Sequence, residues 1–237
     1  MNIVADMHCH TIASVHAYST LRDNLNAAKK KGIQTLAITD HGIGCADSPS
    51  LNYFDNLLSL PREVEGVRLI RGVEANIMDF HGKLDMPEEL LKRMDFVIAS
   101  FHTACTDSGT VEEHTRAYKK IAENPLVHMI GHSGSAEFVY DYEYIIPLFK
   151  KYKKIVEINA HTFICREKSV ENCMRIARLC KEYEVPVMVN SDAHSEFEVG
   201  ACDKAFEMLH CIDFPKELIV NVSQSRMEKY LSDIGPL

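Results

Sequence analysis

A chain of 237 residues with 46% hydrophobic content can bury a sizeable core, and at this length one α/β domain accounts for it as well as two. The formal charge of −8, without a long basic run, argues against a protein that holds nucleic acid by its general surface, so an anionic substrate has to be attracted locally. No apolar stretch approaches the ~18 residues of a membrane span, and Met1 to Asp6 lead straight into a histidine motif instead of a signal peptide, which points to a cytoplasmic protein.

The first apolar segment, Ile3 to His8, reads as a buried strand. It runs into His8-Cys9-His10, and residues two apart on a strand share a face, so both imidazoles aim into one space. A helix follows from about Thr20 to Lys31, closed by Gly32. Further strands are predicted at Thr35 to Thr39, Arg68 to Ala75, Phe96 to Phe101, Val127 to Gly131, Ile155 to Asn159 and Pro186 to Asn190. Their near-continuous apolar character suits parallel strands covered on both faces. Pro87 opens a helix at Glu88, and Thr110-x-x-Glu113 and Ser195-x-x-Glu198 fit capping boxes. No linker or composition shift marks a boundary, so residues 1–237 are expected to form one domain.

Eight cysteines stand at positions 9, 45, 105, 165, 173, 180, 202 and 211, with no Cys-x-x-Cys pair. They are expected to be reduced thiols, with Cys9 packed between sheet and helix.

The histidines and acids cluster at one kind of place. His8, His10, His41, His102, His132 and His194, with Glu74 and Asp192, fall at the carboxyl ends of predicted strands or in the loops that follow, and His16 lies just beyond the first. Such side chains meet at one point only if the sheet closes, which favours a barrel over an open doubly wound sheet. No Gly-x-Gly-x-x-Gly follows the first strand, so a dinucleotide fold has no support. Among the other histidines, His81, His114 and His210 read as solvated or structural. His128 shares a strand face with His132 but sits about 13 Å lower at ~3.3 Å per residue. His161 follows the sixth strand, where either a structural or a substrate contact fits. Glu74, a carboxylate among imidazoles, suits a bridge between two metals, and Asp40 suits orientation of a ligand.

The motifs His8-x-His10, His16, Thr39-Asp40-His41, Gly72-x-Glu74, Phe101-His102, Gly131-His132 and Ser191-Asp192-x-His194 resemble those of the polymerase and histidinol phosphatase (PHP) superfamily. Ala17 to Leu21 and Arg71 to Ile77 are similar to its YcdX-like bacterial phosphatases. The resemblance spans essentially the whole chain and implies a distorted (β/α)7 TIM-like barrel holding three divalent ions, with zinc first and manganese or iron as alternatives. By position it implies that His8, His10, Glu74 and Asp192 hold one ion, that Glu74 bridges to a second on His102 and His132, and that a third sits on His16, His41 and His194.

Seven neutral imidazoles, two carboxylates and three divalent ions leave a charge of about +4, which suits a small-molecule phosphomonoester dianion. Metal lowers the pKa of bound water towards ~7, so a metal-bound hydroxide can serve as nucleophile without a catalytic Ser or Cys. In this reading Glu74 and Asp192 are the catalytic carboxylates. Arg166 and Lys168 fit a solvated basic loop, with a phosphate contact by Arg166 as the alternative. Two competing functions remain. An amidohydrolase acting on amides or lactones usually adds a strand-borne bridging lysine, which is missing at these strand ends, and a non-catalytic metal-binding PHP domain would not need a complete ligand set. Histidinol phosphate is one specific substrate among phosphomonoesters, and the sequence sets no oligomeric state.

Overall fold

The computed structural model describes residues 1–46 and 48–235; Asp47 and residues 236–237 lie outside them. The strands are β1 (Ala5–Asp6), β2 (Thr35–Ile38), β3 (Glu63–Val64), β4 (Val67–Asn76), β5 (Phe96–Ser100), β6 (Met129–Ile130), β7 (Ile155–Asn159) and β8 (Val187–Asn190). All but β3 pair in parallel, in the order β1-β2-β4-β5-β6-β7-β8, while β3 folds back antiparallel on the start of β4. This is the expected α/β barrel, nearly closed, with β3 as an addition.

The seam between β8 and β1 explains the distortion. β1 makes only two ladder pairs with β2, and across the gap the sheet is joined by one isolated backbone bridge, Cys9 to Ala193, and otherwise by side chains. The Asn221 amide donates to Ala5 O at 2.8 Å and to Val189 O at 2.7 Å, and its Oδ1 accepts from Val189 N at 3.0 Å. Met7 N donates to Asn190 Oδ1, and Ser191 N to Asp6 Oδ1. These polar staples replace the backbone ladder that a longer first strand would have made. They also end β1 before His8, two residues short of the sequence expectation.

Helices α1 (Leu21–Lys30), α2 (Leu51–Leu57), α3 (Glu88–Leu91), α4 (Val111–Glu123), α5 (Tyr142–Lys151), α6 (Thr162–Cys165), α7 (Val170–Glu182), α8 (Asp203–Cys211) and α9 (Gln224–Asp233) complete the described chain. Capping boxes open α1 at Thr20 with Asp23 and α4 at Thr110 with Glu113, and Gly32, at φ +74°, takes the left-handed turn after α1. The Ser195-x-x-Glu198 box opens no helix. Glu198 accepts from His194 N and Ser195 Oγ within a turn, and the chain then reverses at Gly200, whose N–H is held by Asp6.

Two apolar layers result. Outward strand residues such as Val73, Val97, Ile130, Val156 and Val189 pack under the helices, with Cys9 among them as expected. Inside the barrel, Ile70, Phe96, Ile98, Met129, Ile155 and Met188 pack on Met227 and Leu231 of α9, which plugs the amino-terminal end. The floor is therefore apolar, and polar chemistry is confined to the opposite mouth.

Candidate metal centre

Inward-facing positions change character as they climb towards the carboxyl ends. β4 reads Ile70, Gly72, Glu74, Asn76; β7 reads Ile155, Glu157, Asn159; β8 and its extension read Met188, Asn190, Asp192. Period-two alternation thus delivers three carboxylates to one level, and Glu74, Glu157 and Asp192 are all buried. Bridge pairing of His41 with Glu74, and of Cys9 with Ala193, brings the loop residues of β2 and β1 against them. Gly131 allows β6 to approach β5, since a Cβ there would collide with Ser100 Oγ and Ile98.

All nine of the sequence-predicted metal residues converge. His8 Nε2 lies 3.3 Å from Glu74 Oε1 and 3.4 Å from Asp192 Oδ1; His10 Nε2 lies 3.6 Å from Glu74 Oε2 and 3.1 Å from Asp192 Oδ1. Four donors about 2.0–2.2 Å from an ion in a tetrahedron are separated by about 3.3–3.6 Å, so these spacings suit one divalent ion. Next to them, Glu74 Oε1 is 2.9 Å from His132 Nε2 and 3.5 Å from His102 Nε2, and the two ring nitrogens are 3.1 Å apart. His16 Nε2 lies 3.0 Å from His194 Nε2 and 3.3 Å from His41 Nε2. His41 links the sets, its Nδ1 being 2.9 Å from Glu74 Oε2.

Whether this donor set fits metal is tested by its unsatisfied atoms. His8 Nε2, His41 Nδ1 and Glu74 Oε2 are buried without an aligned hydrogen bond, although His41 Nδ1 and Glu74 Oε2 lie 2.9 Å apart. Buried polar atoms are rarely left so, and a cation beside His8 Nε2 and Glu74 Oε2 satisfies both. The electrostatics divide the rings. Burial pushes His10, His102 and His194 below the ordinary imidazole range, His102 to about 4, so these rings are neutral donors near pH 7, whereas at His8 and His41 the neighbouring carboxylates outweigh burial and raise the ring pKa. Burial opposes the charged forms of Glu74 and Asp192, but the imidazoles around them, led by His8, outweigh it and hold both carboxyls well below their usual range.

Several supporting residues were not singled out by sequence reasoning. Glu157 accepts from His8 Nδ1 at 2.8 Å, His132 N at 2.8 Å, Asn190 Nδ2 at 3.0 Å and Asn159 Nδ2 at 3.0 Å, so one carboxylate fixes two rings of the cluster. Asn76 Oδ1 sits 2.7 Å from His102 Nδ1. The signal for Glu157 was available: an acid at the middle of Ile155-Val156-Glu157-Ile158-Asn159, on the same face as Ile155 and Asn159, points into the barrel. Asp40 orients the cluster less directly than expected. It holds Thr11, Ser14 and Tyr53, and Ser14 Oγ accepts the His41 N–H at 3.2 Å.

The mouth opens into a cavity of about 370 Å³ lined by His16, His41, His102, His132 and His194. Arg166 also lines it, and its guanidinium reaches Asp192 Oδ2 at 3.3 and 3.4 Å, whereas Lys168 is exposed and outside the lining. The picture of a solvated basic loop therefore fails for Arg166 and holds for Lys168. His161 starts α6, its ring 5.4 Å from that of His194, but it does not line the cavity. His128 stacks on Phe96 near the floor and accepts from Val97 N, and His114 is held by Gly109 and Val139, both as structural groups. The cysteine expectation needs correction at one pair: Cys45 and Cys105 form a disulfide between the loops after β2 and β5. The barrel brings together two cysteines that stand 60 positions apart in the chain.

A parallel barrel with buried imidazoles and carboxylates around its carboxyl mouth is the architecture of a metal-dependent barrel enzyme. Residues 6–173 match the PHP domain, and the chain belongs to that family. A probable phosphatase from Acetivibrio thermocellus is 45% identical over 231 residues, covering 98% of this chain and 96% of its own length. Another, from Caldicellulosiruptor bescii, is 46% identical over 98% of this chain and 95% of its own length. With such relatives along its length, the chain is an enzyme of the phosphatase class. A histidinol phosphate phosphatase from Lactococcus lactis, solved with zinc, L-histidinol and phosphate, shares the fold at TM-score 0.66 and 18% identity, over 89% of this chain and 94% of that one. Among the described residues, no helix is long and apolar enough to cross a membrane.

Proposed function

We propose that this chain, read as one PHP domain, hydrolyses small-molecule phosphomonoesters at a centre of three divalent ions, zinc first. The observation that carries the reading is the sharing of Glu74 between two donor sets, with a third set of imidazoles continuous with them through His41. His8, His10, Glu74 and Asp192 would hold one ion, Glu74, His102 and His132 the second, and His16, His41 and His194 the third. Zinc is supported by the donor chemistry and by the metal bound in the Lactococcus lactis protein.

Bound divalent ions supply acidified water as nucleophile and positive charge for the phosphoryl oxygens. The chain's own residues do the rest. Glu157 holds His8 and the backbone of His132, and Asn76 holds His102, so the rings keep their orientation through the reaction. Arg166, lining the mouth beside Asp192, presents its fork to phosphate oxygens. Glu157 lowers the expected site charge by one and Arg166 restores it, leaving about +4 to draw in a dianion. The walls formed by Phe101 and Phe138 limit water around the ester.

The test combines metal analysis with turnover of a panel of phosphomonoesters, phosphodiesters, amides and lactones. Three ions per chain and release of phosphate from monoesters alone are expected, and Glu74→Gln should abolish turnover while leaving the circular dichroism spectrum unchanged. A fully loaded protein that cleaves amides or lactones but no phosphomonoester would overturn the proposal.

A further inference from the structure

The disulfide sits where it can act on the site. Cys45 lies four positions after His41 and Cys105 three after His102, so the bond ties together two loops that leave the cluster, and Cys45 lines the cavity. Its Sγ is 3.6 Å from Asn76 Oδ1, the atom that faces His102 Nδ1 at 2.7 Å, and Asn76 Nδ2 donates to Gly42 O in the loop that carries Cys45. One amide therefore touches the disulfide, its loop and a ring of the cluster.

The remaining cysteines make a purely structural staple a poor account. Cys9, Cys173, Cys180 and Cys202 are buried, and Cys165 and Cys211 are exposed; all six are free. A small scaffold held by disulfides in an oxidising compartment pairs most of its cysteines and bridges weak cores. Here a large apolar core is already present, and the bond joins two half-exposed loop positions at an opening, within reach of small thiols.

We propose that Cys45 and Cys105 are a reversible dithiol/disulfide modification site, reacting with low-molecular-weight disulfides of the glutathione type, that tethers the mouth and so sets the size of phosphoester admitted. The size-selecting role rests on the phosphatase reading; the modification itself does not. One protein thiolate attacks a sulfur of the small disulfide, forming a mixed disulfide and expelling one thiolate. The second protein thiolate then attacks the bonded protein sulfur and expels the other. Two protein thiols are oxidised, one small disulfide is reduced to two thiols, and the protons pass to the leaving thiolates. With the bond closed the loops cannot part; with it open the mouth widens for bulky esters.

The experiment equilibrates the metal-loaded protein across ratios of reduced to oxidised glutathione, then reads three quantities. Alkylation and peptide mass mapping should show a Cys45–Cys105 linked peptide that falls and returns with the ratio. Hydrogen exchange in the peptides bearing Cys45 and Cys105 should be at least three-fold slower in the oxidised form. The kcat/KM for a naphthyl phosphate relative to a short alkyl phosphate should rise at least three-fold on reduction, with metal content unchanged, and Cys105→Ser should match the reduced protein at every ratio. A linked peptide that never forms, one that persists in excess thiol, or a size preference indifferent to its formation overturns the proposal. If linkage and exchange respond but neither state releases phosphate from any ester, the modification site stands and the phosphatase reading falls.

Discussion

Glu157 is the sharpest place to ask whether the buried network, and not the ligands alone, makes the site. Its Oε1 accepts from His8 Nδ1 and Asn190 Nδ2, and its Oε2 from His132 N and Asn159 Nδ2, at 2.8 to 3.0 Å. Glu157→Gln keeps the volume but replaces one oxygen with an NH2 group. Whichever oxygen is replaced, the new donor faces donors: the His132 and Asn159 N–H groups on one side, or Asn190 and His8 on the other. Relief on the His8 side requires its ring to give up the Nδ1 proton and carry one on Nε2, the nitrogen that the cluster uses. Loss of such an orienting partner costs about 10–100-fold in metal affinity, or about 1.4–2.7 kcal/mol, and the strained donor pair costs a further ~1–3 kcal/mol of folding stability. Competition for zinc against a calibrated chelator measures the first, and chemical denaturation of the metal-free protein the second. A variant within two-fold of the wild type in zinc affinity would refute the argument that Glu157 sets the orientation of His8.

Asn221→Ala should remove the staple across the β8 to β1 seam, leaving Ala5 O, Val189 O and Val189 N without their partner, and cost about 2–4 kcal/mol in urea denaturation; a change below about 0.5 kcal/mol would show that water replaces the amide. Burial, with Lys154 adding to it, lowers His128 from 6.5 to about 4 in the folded protein, so the unfolded chain takes up the proton more readily. The stability tied to the neutral ring is fully present above pH 6.5 and is lost as pH falls through about 4, at most about 3.4 kcal/mol in all; His128→Gln, which keeps an acceptor for Val97 N, should flatten that acid limb in pH-dependent melting. Rapid-quench experiments with labelled phosphomonoester should trap no phosphoenzyme, and a stable adduct on Ser, Cys or His would contradict attack by water.

The seven barrel strands were legible because parallel strands buried on both faces read as short apolar runs, and the ligand positions because each stands where such a run ends. What escaped notice had physical reasons. β3 contributes two residues, and its reversal into β4 uses Glu65 at φ +51° and Gly66 at φ +85°, a turn whose Glu-Gly pair is a weaker signal than Asn-Gly or Asp-Gly. Glu157 lies mid-strand, below the edge on which attention to strand ends concentrates, and only the inward alternation reveals it. Asn221 comes from a short 3-10 turn far along the chain, and no local pattern announces that its amide will stand in for a sheet ladder. The Cys45–Cys105 bond depends on how two loops converge across the mouth, which spacing cannot encode.

The same polar network that shapes the site also holds strain there. His132 at φ +22° and Asp192 at φ +54° are non-glycine residues in backbone conformations that cost of order 1–3 kcal/mol each. Each is held by the residues beside it: the His132 N–H by Glu157, and the Asp192 carboxylate by His10, Asn159 and Arg166. The apolar floor beneath, sealed by α9, gives these bonds a dry setting in which they are strong. Stability and ligand placement are therefore coupled through Glu157 and Asp192, and mutations that weaken the cluster should lower folding stability even in metal-free protein.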